Sequence, residues 1–399
     1  MRVVILGGSS WSTPALFDSD EPLQDARIEL AGRNQSNLRA VLRASEIVSA
    51  ARGGSAAISI ARFDDLDTSL AGADVVIVQV RAGGYAARAW DESFPHAYDL
   101  CGDEGLGPGG LAAAWRTWPI VRDLLAHVER NAPGALVLLL TSPVGILSRL
   151  AIEGFANLRI NGICELPWTT LEAVCAAHNA AVADASYCYA GVNHLGWFSG
   201  VCDGGGALLC DGPVALKYVR LHDEPAAVLA EQRASGSRGR ELDRLATRAF
   251  ETYANGDPAA VLATVRSRLT PWYAQAVAPL LAALESGASS SRTYFLTTRN
   301  RDYLDFVGPD EVAELPFTLS GGQFARRPRD SAVPSGIAAT LSRFTTYERA
   351  AADAVRDRNE AGIATALACH PWLAEMHVPP ALVRDVLAQT DAAAATVNV

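Results

Sequence analysis

Cys164 and His194 stand thirty residues apart in two similar settings, Gly-Ile-Cys164-Glu165-Leu-Pro and Gly-Val-Asn193-His194-Leu-Gly-Trp197. Each follows an apolar run that reads as a buried strand and is bounded by glycine or proline. A thiolate and an imidazole are side chains that transition-metal sites readily recruit. Two protein ligands leave coordination positions open to water or substrate, as a catalytic ion requires. Cysteine and histidine also serve as ordinary core residues, so spacing alone leaves that role open for both.

The elements that would position them follow from hydrophobic patterning. Val3–Leu6, Ile28–Ala31, Ala57–Ile60, Val75–Val80, Ala135–Leu140 and Ile160–Ile163 are near-continuous apolar runs, as strands buried on both faces should be. Helical stretches such as Asn37–Ala50 and Leu111–Arg130 alternate with them. This is the pattern of βαβ units in a doubly wound parallel sheet. After Trp168 helical stretches dominate, among them Thr170–Ala180, Glu241–Tyr253, Pro271–Glu285 and Thr346–Ala368. Short strands are expected at Ser186–Val192, Trp197–Val201 and Thr293–Leu296, and loops at Ala234–Gly239 and Ser286–Arg292. The expected fold is α/β: a Rossmann-like dinucleotide-binding domain over residues 1–167 and a second mixed α/β domain over 168–399.

The first strand runs into Leu6-Gly7-Gly8-Ser9-Ser10-Trp11-Ser12-Thr13-Pro14, which should open a helix. Small residues there let backbone approach a pyrophosphate, so Gly7, Gly8, Ser9, Ser10 and Trp11 are candidate dinucleotide contacts. The second strand should end on an acidic residue for the adenosine ribose; it ends instead on Gly32-Arg33. A small residue followed by arginine makes room for, and neutralises, a 2′-phosphate, which places NADP beside NAD as the cofactor.

Composition bounds the partners. The 399 residues are 49% hydrophobic and 20% charged, and their net charge of −10 argues against nucleic acid, whose phosphates need a basic surface. The apolar stretch from Ala135 to Leu147 is interrupted by Ser142 and Pro143 and is too short for a bilayer. Seven cysteines without a pairing pattern fit reduced thiols, and the start Met-Arg-Val-Val-Ile-Leu-Gly reads as a strand and not a signal peptide. A cytoplasmic location is expected.

In order along the chain come the glycine turn, Arg81-Ala-Gly-Gly-Tyr-Ala-Ala-Arg88-Ala-Trp-Asp91-Glu92, Gly102-Asp-Glu-Gly-Leu-Gly107-Pro108-Gly109-Gly110 and Leu-Thr141-Ser142-Pro143. The Cys164 and Asn193-His194 segments follow, then Arg268-Leu-Thr-Pro-Trp-Tyr273, Tyr347-Glu348 and Ala366-Leu-Ala-Cys-His370-Pro371. Taken together these segments resemble glycoside hydrolase family four, whose members are NAD- and metal-dependent 6-phospho-glycosidases and α-galactosidases. The resemblance implies a second domain related to that of malate and lactate dehydrogenases, and a homodimer or homotetramer. It further implies that Cys164 and His194 hold a divalent metal, usually manganese. Tyr273 resembles the family's base, Arg268 the neighbour that lowers its pKa, and Glu165 stands at the general acid. Arg88, Ser142 and Asn193 fall at substrate contacts, although most members carry asparagine where Ser142 stands.

The implied chemistry oxidises the sugar at C3, with nicotinamide as hydride acceptor, and so acidifies the C2 proton. A tyrosinate removes that proton with metal assistance, and the aglycone leaves by elimination. The expected substrate is a glycoside, 6-phosphorylated or not, with a 6-phospho-β-glucoside favoured. An NAD(P)-dependent dehydrogenase of 2-hydroxy acids or sugars, and a non-catalytic cofactor-binding sensor, are the alternatives. His96, His178, His222 and His377 lack such context and receive no role.

Overall fold

The computed structural model describes residues 1–267, 272–329, 331–374, 376–388 and 397–398. Among them, twelve strands join in one sheet. Its parallel half comprises β1 (Arg2–Leu6), β2 (Arg27–Ala31), β3 (Ala57–Ile60), β4 (Val75–Val78), β6 (Leu136–Leu139) and β7 (Arg159–Ile163), with the two-residue β5 (Arg81–Ala82) lying apart. The spatial order 3-2-1-4-6-7 is that of a dinucleotide-binding sheet. Val3 to Leu6 and Ile77 to Val78 are inaccessible to solvent, because helices cover both faces. Each such side chain contributes about 1.5–3 kcal/mol relative to exposure.

The sheet continues across residue 167. β7 pairs antiparallel with β11 (Ser290–Arg299), which pairs with β12 (Val312–Ser320). Beyond β12 lie β8 (Ser186–Val192), β9 (Leu195–Cys202) and β10 (Val214–Ala215), while β13 (Gln323–Arg326) also pairs with β12. The α/β architecture, a parallel Rossmann-like half with a mixed second half, is as expected. No helix among the described residues is long and apolar enough to cross a membrane.

Several elements differ from the sequence reading. The glycine turn leads into a five-residue 3-10 helix, Thr13–Phe17, in place of a full helix. Polar residues and Pro22 follow at once, and Arg52 and Arg266 hold the Asp18 carboxylate. The helix expected from Leu111 begins at Gly107, and Thr346–Ala368 is two helices, Ser335–Arg356 and Glu360–Cys369. Arg358, at φ 51, turns the chain between them. β12 was not anticipated, since Glu314 and Pro316 interrupt its apolar run.

Candidate active site

A crevice of about 940 Å³ opens beyond the carboxyl ends of β1, β4 and β6, where an open α/β sheet binds its ligand. Gly7, Ser9, Ser10, Trp11 and Ser142 line it, whereas Gly8, Gly32 and Arg33 are not among its lining residues. Gly7 has φ 92, and a Cβ there would sit 2.9 Å from the Gln79 carbonyl oxygen. A Cβ on Gly8 would lie 2.9 Å from Leu30 Cα. The Gly7 and Gly8 amides both donate to the Ala31 carbonyl, tying the turn to the end of β2. Gly32, buried, and Arg33, exposed, follow that strand end directly.

Charged side chains converge on the crevice. Arg88, on the helix Gly84–Ser93, contacts Glu92 at 2.7 Å and Glu104 at 2.7 Å, and Arg81 also pairs with Glu104. Burial raises the Glu104 pKa, but the two guanidinium groups outweigh it and bring the carboxyl to about 2. Arg116 holds Asp91 at 2.5 Å, pinning the helix Gly107–Asn131 to Gly84–Ser93. Burial raises Asp91 to about 6 despite that partner.

Cys164 and His194 lie in a second, adjoining cluster. Cys164 directly follows β7, and its thiol donates to Glu165 Oε2 at 3.4 Å. Burial, then Glu165 and Glu314, push this thiol far up in pKa. His194 occupies the tip of the β8–β9 hairpin at φ 68, an uncommon conformation for a residue with a Cβ. Its ring stacks on Tyr218 at 4.6 Å between centroids. Its Nδ1 stands 3.8 Å from Asp103 Oδ1 and has no hydrogen-bond partner among the described residues. Burial lowers the His194 pKa, but Asp103, Glu165 and Glu314 reverse the shift and raise it.

Glu165 and Glu314 thus act electrostatically on both Cys164 and His194. Glu314 accepts from the Tyr189 hydroxyl at 2.5 Å and from Asn193 Nδ2 at 3.5 Å. Burial raises it to about 7. Gly105 is small for a reason: a Cβ there would lie 2.7 Å from His194 Nδ1. The loop that carries Glu104 into the crevice therefore also walls the histidine. No group of three or more His, Cys, Asp or Glu side chains among the described residues is arranged to cage an ion.

Tyr273 is buried and opens a π-helical turn, Tyr273–Val277. Its hydroxyl donates to Gln79 Oε1, while Gln79 Nε2 donates to the Gly7 carbonyl at 3.1 Å and Thr13 Oγ1 at 2.9 Å. The tyrosine is thereby fixed beside the glycine turn. Gln275 and Ala276 of the same turn share a smaller hollow of about 220 Å³ with Cys164. Arg268 lies outside the described residues. Sequence reasoning missed Gln79, Glu104, Tyr218 and Glu314. A lone carboxylate within Val312-Ala-Glu314-Leu-Pro-Phe was the available signal for Glu314.

Comparison with known proteins gives the following. Residues 2–179 match the description "Family 4 glycosyl hydrolase". The maltose-6′-phosphate glucosidase of Bacillus subtilis is 27% identical over 206 residues, 50% of this chain and 45% of that protein. The chain thus spans just under half the length of that relative. The 6-phospho-β-glucosidase of Thermotoga maritima is 23% identical over 416 residues, covering 97% of this chain and 98% of that one. Its structure with manganese, NAD+ and glucose-6-phosphate superposes with a TM-score of 0.85 at 21% identity, over all of both chains. Cryptosporidium parvum malate dehydrogenase shares the fold more distantly, with a TM-score of 0.56 at 14% identity over 89% of this chain and 98% of that one.

Proposed function

We propose, from the match of residues 2–179 to the family 4 glycosyl hydrolases, that this chain is a glycosidase working with a nicotinamide dinucleotide and a divalent cation, manganese foremost. Its substrate is a 6-phospho-β-glucoside or a related glycoside. The Cys164–His194 cluster supports this best: a buried thiol and an unpartnered imidazole nitrogen stand among Asp103, Glu165 and Glu314. A cation there meets two donor atoms in a field of carboxylates, which offsets the burial of a thiolate. When bound, the dinucleotide supplies a hydride acceptor and the cation Lewis acidity.

The chain's own groups do the rest. Gly7, Gly8, Ser9, Ser10, Trp11, Gly32 and Arg33 hold the dinucleotide. Arg88, Ser142 and Asn193 orient the sugar, and Glu314 fixes Asn193. Tyr273 takes the C2 proton, with Arg268 favouring its ionised form, and Glu165 protonates the leaving oxygen. Residues 1–167 form the dinucleotide-binding domain. Residues 168–399 form the substrate and assembly domain of a cytoplasmic homodimer or homotetramer.

A panel of nitrophenyl glycosides, with and without 6-phosphate, tests this in heavy water with dinucleotide and manganese. Nitrophenol release that needs both additions, with deuterium at C2 of the product, is expected. Hydrogen retained at C2 through turnover, or net accumulation of reduced dinucleotide, would overturn it.

A further inference from the structure

The end of β2 is where a dinucleotide-binding sheet reads the adenosine ribose. An acidic residue there bonds the 2′- and 3′-hydroxyls, and its charge would repel a 2′-phosphate. The one carboxylate on β2, Glu29, is committed elsewhere. Arg2 binds it in a two-pronged contact, Nε to Oε1 at 2.9 Å and Nη2 to Oε2 at 3.0 Å. Arg2 is the first residue of β1 and also donates to the Ser69 and Ala71 carbonyls. Glu29 is therefore held toward the amino ends of the strands, opposite the crevice.

At the carboxyl end the chain offers no side chain at Gly32 and then the exposed Arg33. Asn34 is used in capping the helix Gln35–Ala51: its Oδ1 accepts from the Asn37 amide at 3.0 Å and the Ser36 hydroxyl at 3.1 Å. Asn37, one helical turn beyond Arg33, lines the same crevice as Gly7 and Ser9. The acidic residues after the neighbouring strand β3 are also engaged. Asp64 pairs with Arg62 at 3.1 Å, and Asp65 caps the helix Leu66–Leu70.

We infer that this crevice takes the 2′-phosphorylated dinucleotide, NADP, in preference to NAD, with Arg33 as the selecting group; the inference rests on the dinucleotide reading of the crevice given above. Gly32 leaves the room, and the guanidinium supplies charge-assisted hydrogen bonds that a bare 2′-hydroxyl cannot match. Because Arg33 is exposed, the preference weakens as salt rises.

Calorimetric titration of the full chain with NADP+ and with NAD+ tests this without any turnover. NADP+ should bind roughly ten- to a hundredfold more tightly, the range of a charge-assisted contact. Adenosine 2′,5′-bisphosphate should exceed 5′-AMP by a similar ratio. Arg33→Ala should collapse both ratios, and Gly32→Asp should invert them. Equal or tighter binding of NAD+, or a ratio unmoved by Arg33→Ala, overturns the assignment of NADP while leaving a dinucleotide site intact. Failure of both dinucleotides to bind overturns the dinucleotide reading itself.

Discussion

Two histidines in this molecule each carry a buried ring nitrogen with no hydrogen-bond partner among the described residues, Nδ1 of His194 and Nε2 of His370. Their surroundings differ. His370 is walled by Phe344, Tyr347 and Trp372, and its Nδ1 accepts from the Trp372 amide at 3.1 Å. Burial, with His222 and Arg343 nearby, takes it down to about 3, so it is a neutral core residue. His194 has one aromatic neighbour and three carboxylates, and its pKa moves up despite burial. An orphaned nitrogen alone therefore says little. An orphaned nitrogen in a negative field, beside a thiol, is a place for a cation.

The comparison breaks most easily at the thiol. Cys164→Ser should cut cation-dependent turnover by at least about 100-fold, since it removes one of the two proposed protein ligands. Dinucleotide binding, measured by calorimetry, should persist. His370→Asn should leave turnover within a few-fold. Equal losses in the two variants would erase the distinction drawn between the regions. Glu314→Gln is a finer probe, because the amide has the same shape but carries no charge: its one oxygen can accept from Asn193, and its Nε2 can donate to the Tyr189 hydroxyl oxygen. Manganese affinity should fall by roughly 10- to 100-fold, read by electron paramagnetic resonance of free ion. An unchanged affinity would remove Glu314 from the cation's field.

The central strands β1, β4 and β6 were legible because both faces are buried and the apolar runs are unbroken. The Cys164 and His194 segments were legible for the same reason, as each sits where such a run ends. Other features depended on tertiary contact. Gly107 to Gly110 precede the helix expected from Leu111 yet belong to it: a Cβ on Gly109 would lie 2.2 Å from the Asp91 carbonyl, so close packing sets those glycines. Glu104 and Glu314 are buried only because distant partners meet them, Arg81 and Arg88 for one, Tyr189 and Asn193 for the other. Nothing local marks such pairings.

Two smaller effects concern stability and run in opposite directions with pH. His370 is held near 3 in the fold against an ordinary value near 6.5. Its contribution is complete above the unfolded value and is lost as pH falls, because the unfolded chain takes the proton first. Between pH 6 and 4 this costs about 1.4 kcal/mol per pH unit. In His370→Asn, whose Oδ1 can take the Trp372 amide, that part of the slope in denaturant midpoint should vanish.

Glu348 supplies the opposite sign at smaller size. Burial raises it from 4.5 to about 7, Arg149 lowers it in part, and Glu314 raises it again. Its Oε2 has no hydrogen-bond partner among the described residues. A raised carboxyl contributes fully below its unfolded value and loses that contribution as pH rises through about 7, when a buried charge must form. Glu348→Gln cannot ionise, so it should gain about 2–3 kcal/mol of stability relative to the parent as pH rises from about 5 to 8. Gly145, whose Cβ would strike Glu348 Oε1 at 2.0 Å, keeps the room that either side chain needs. A parent and variant whose denaturation midpoints run parallel across that range would show that Glu348 is ionised throughout. Arg149, on the helix Val144–Gly154, would then outweigh burial and form a charge pair with Glu348, where His370 marks an apolar core.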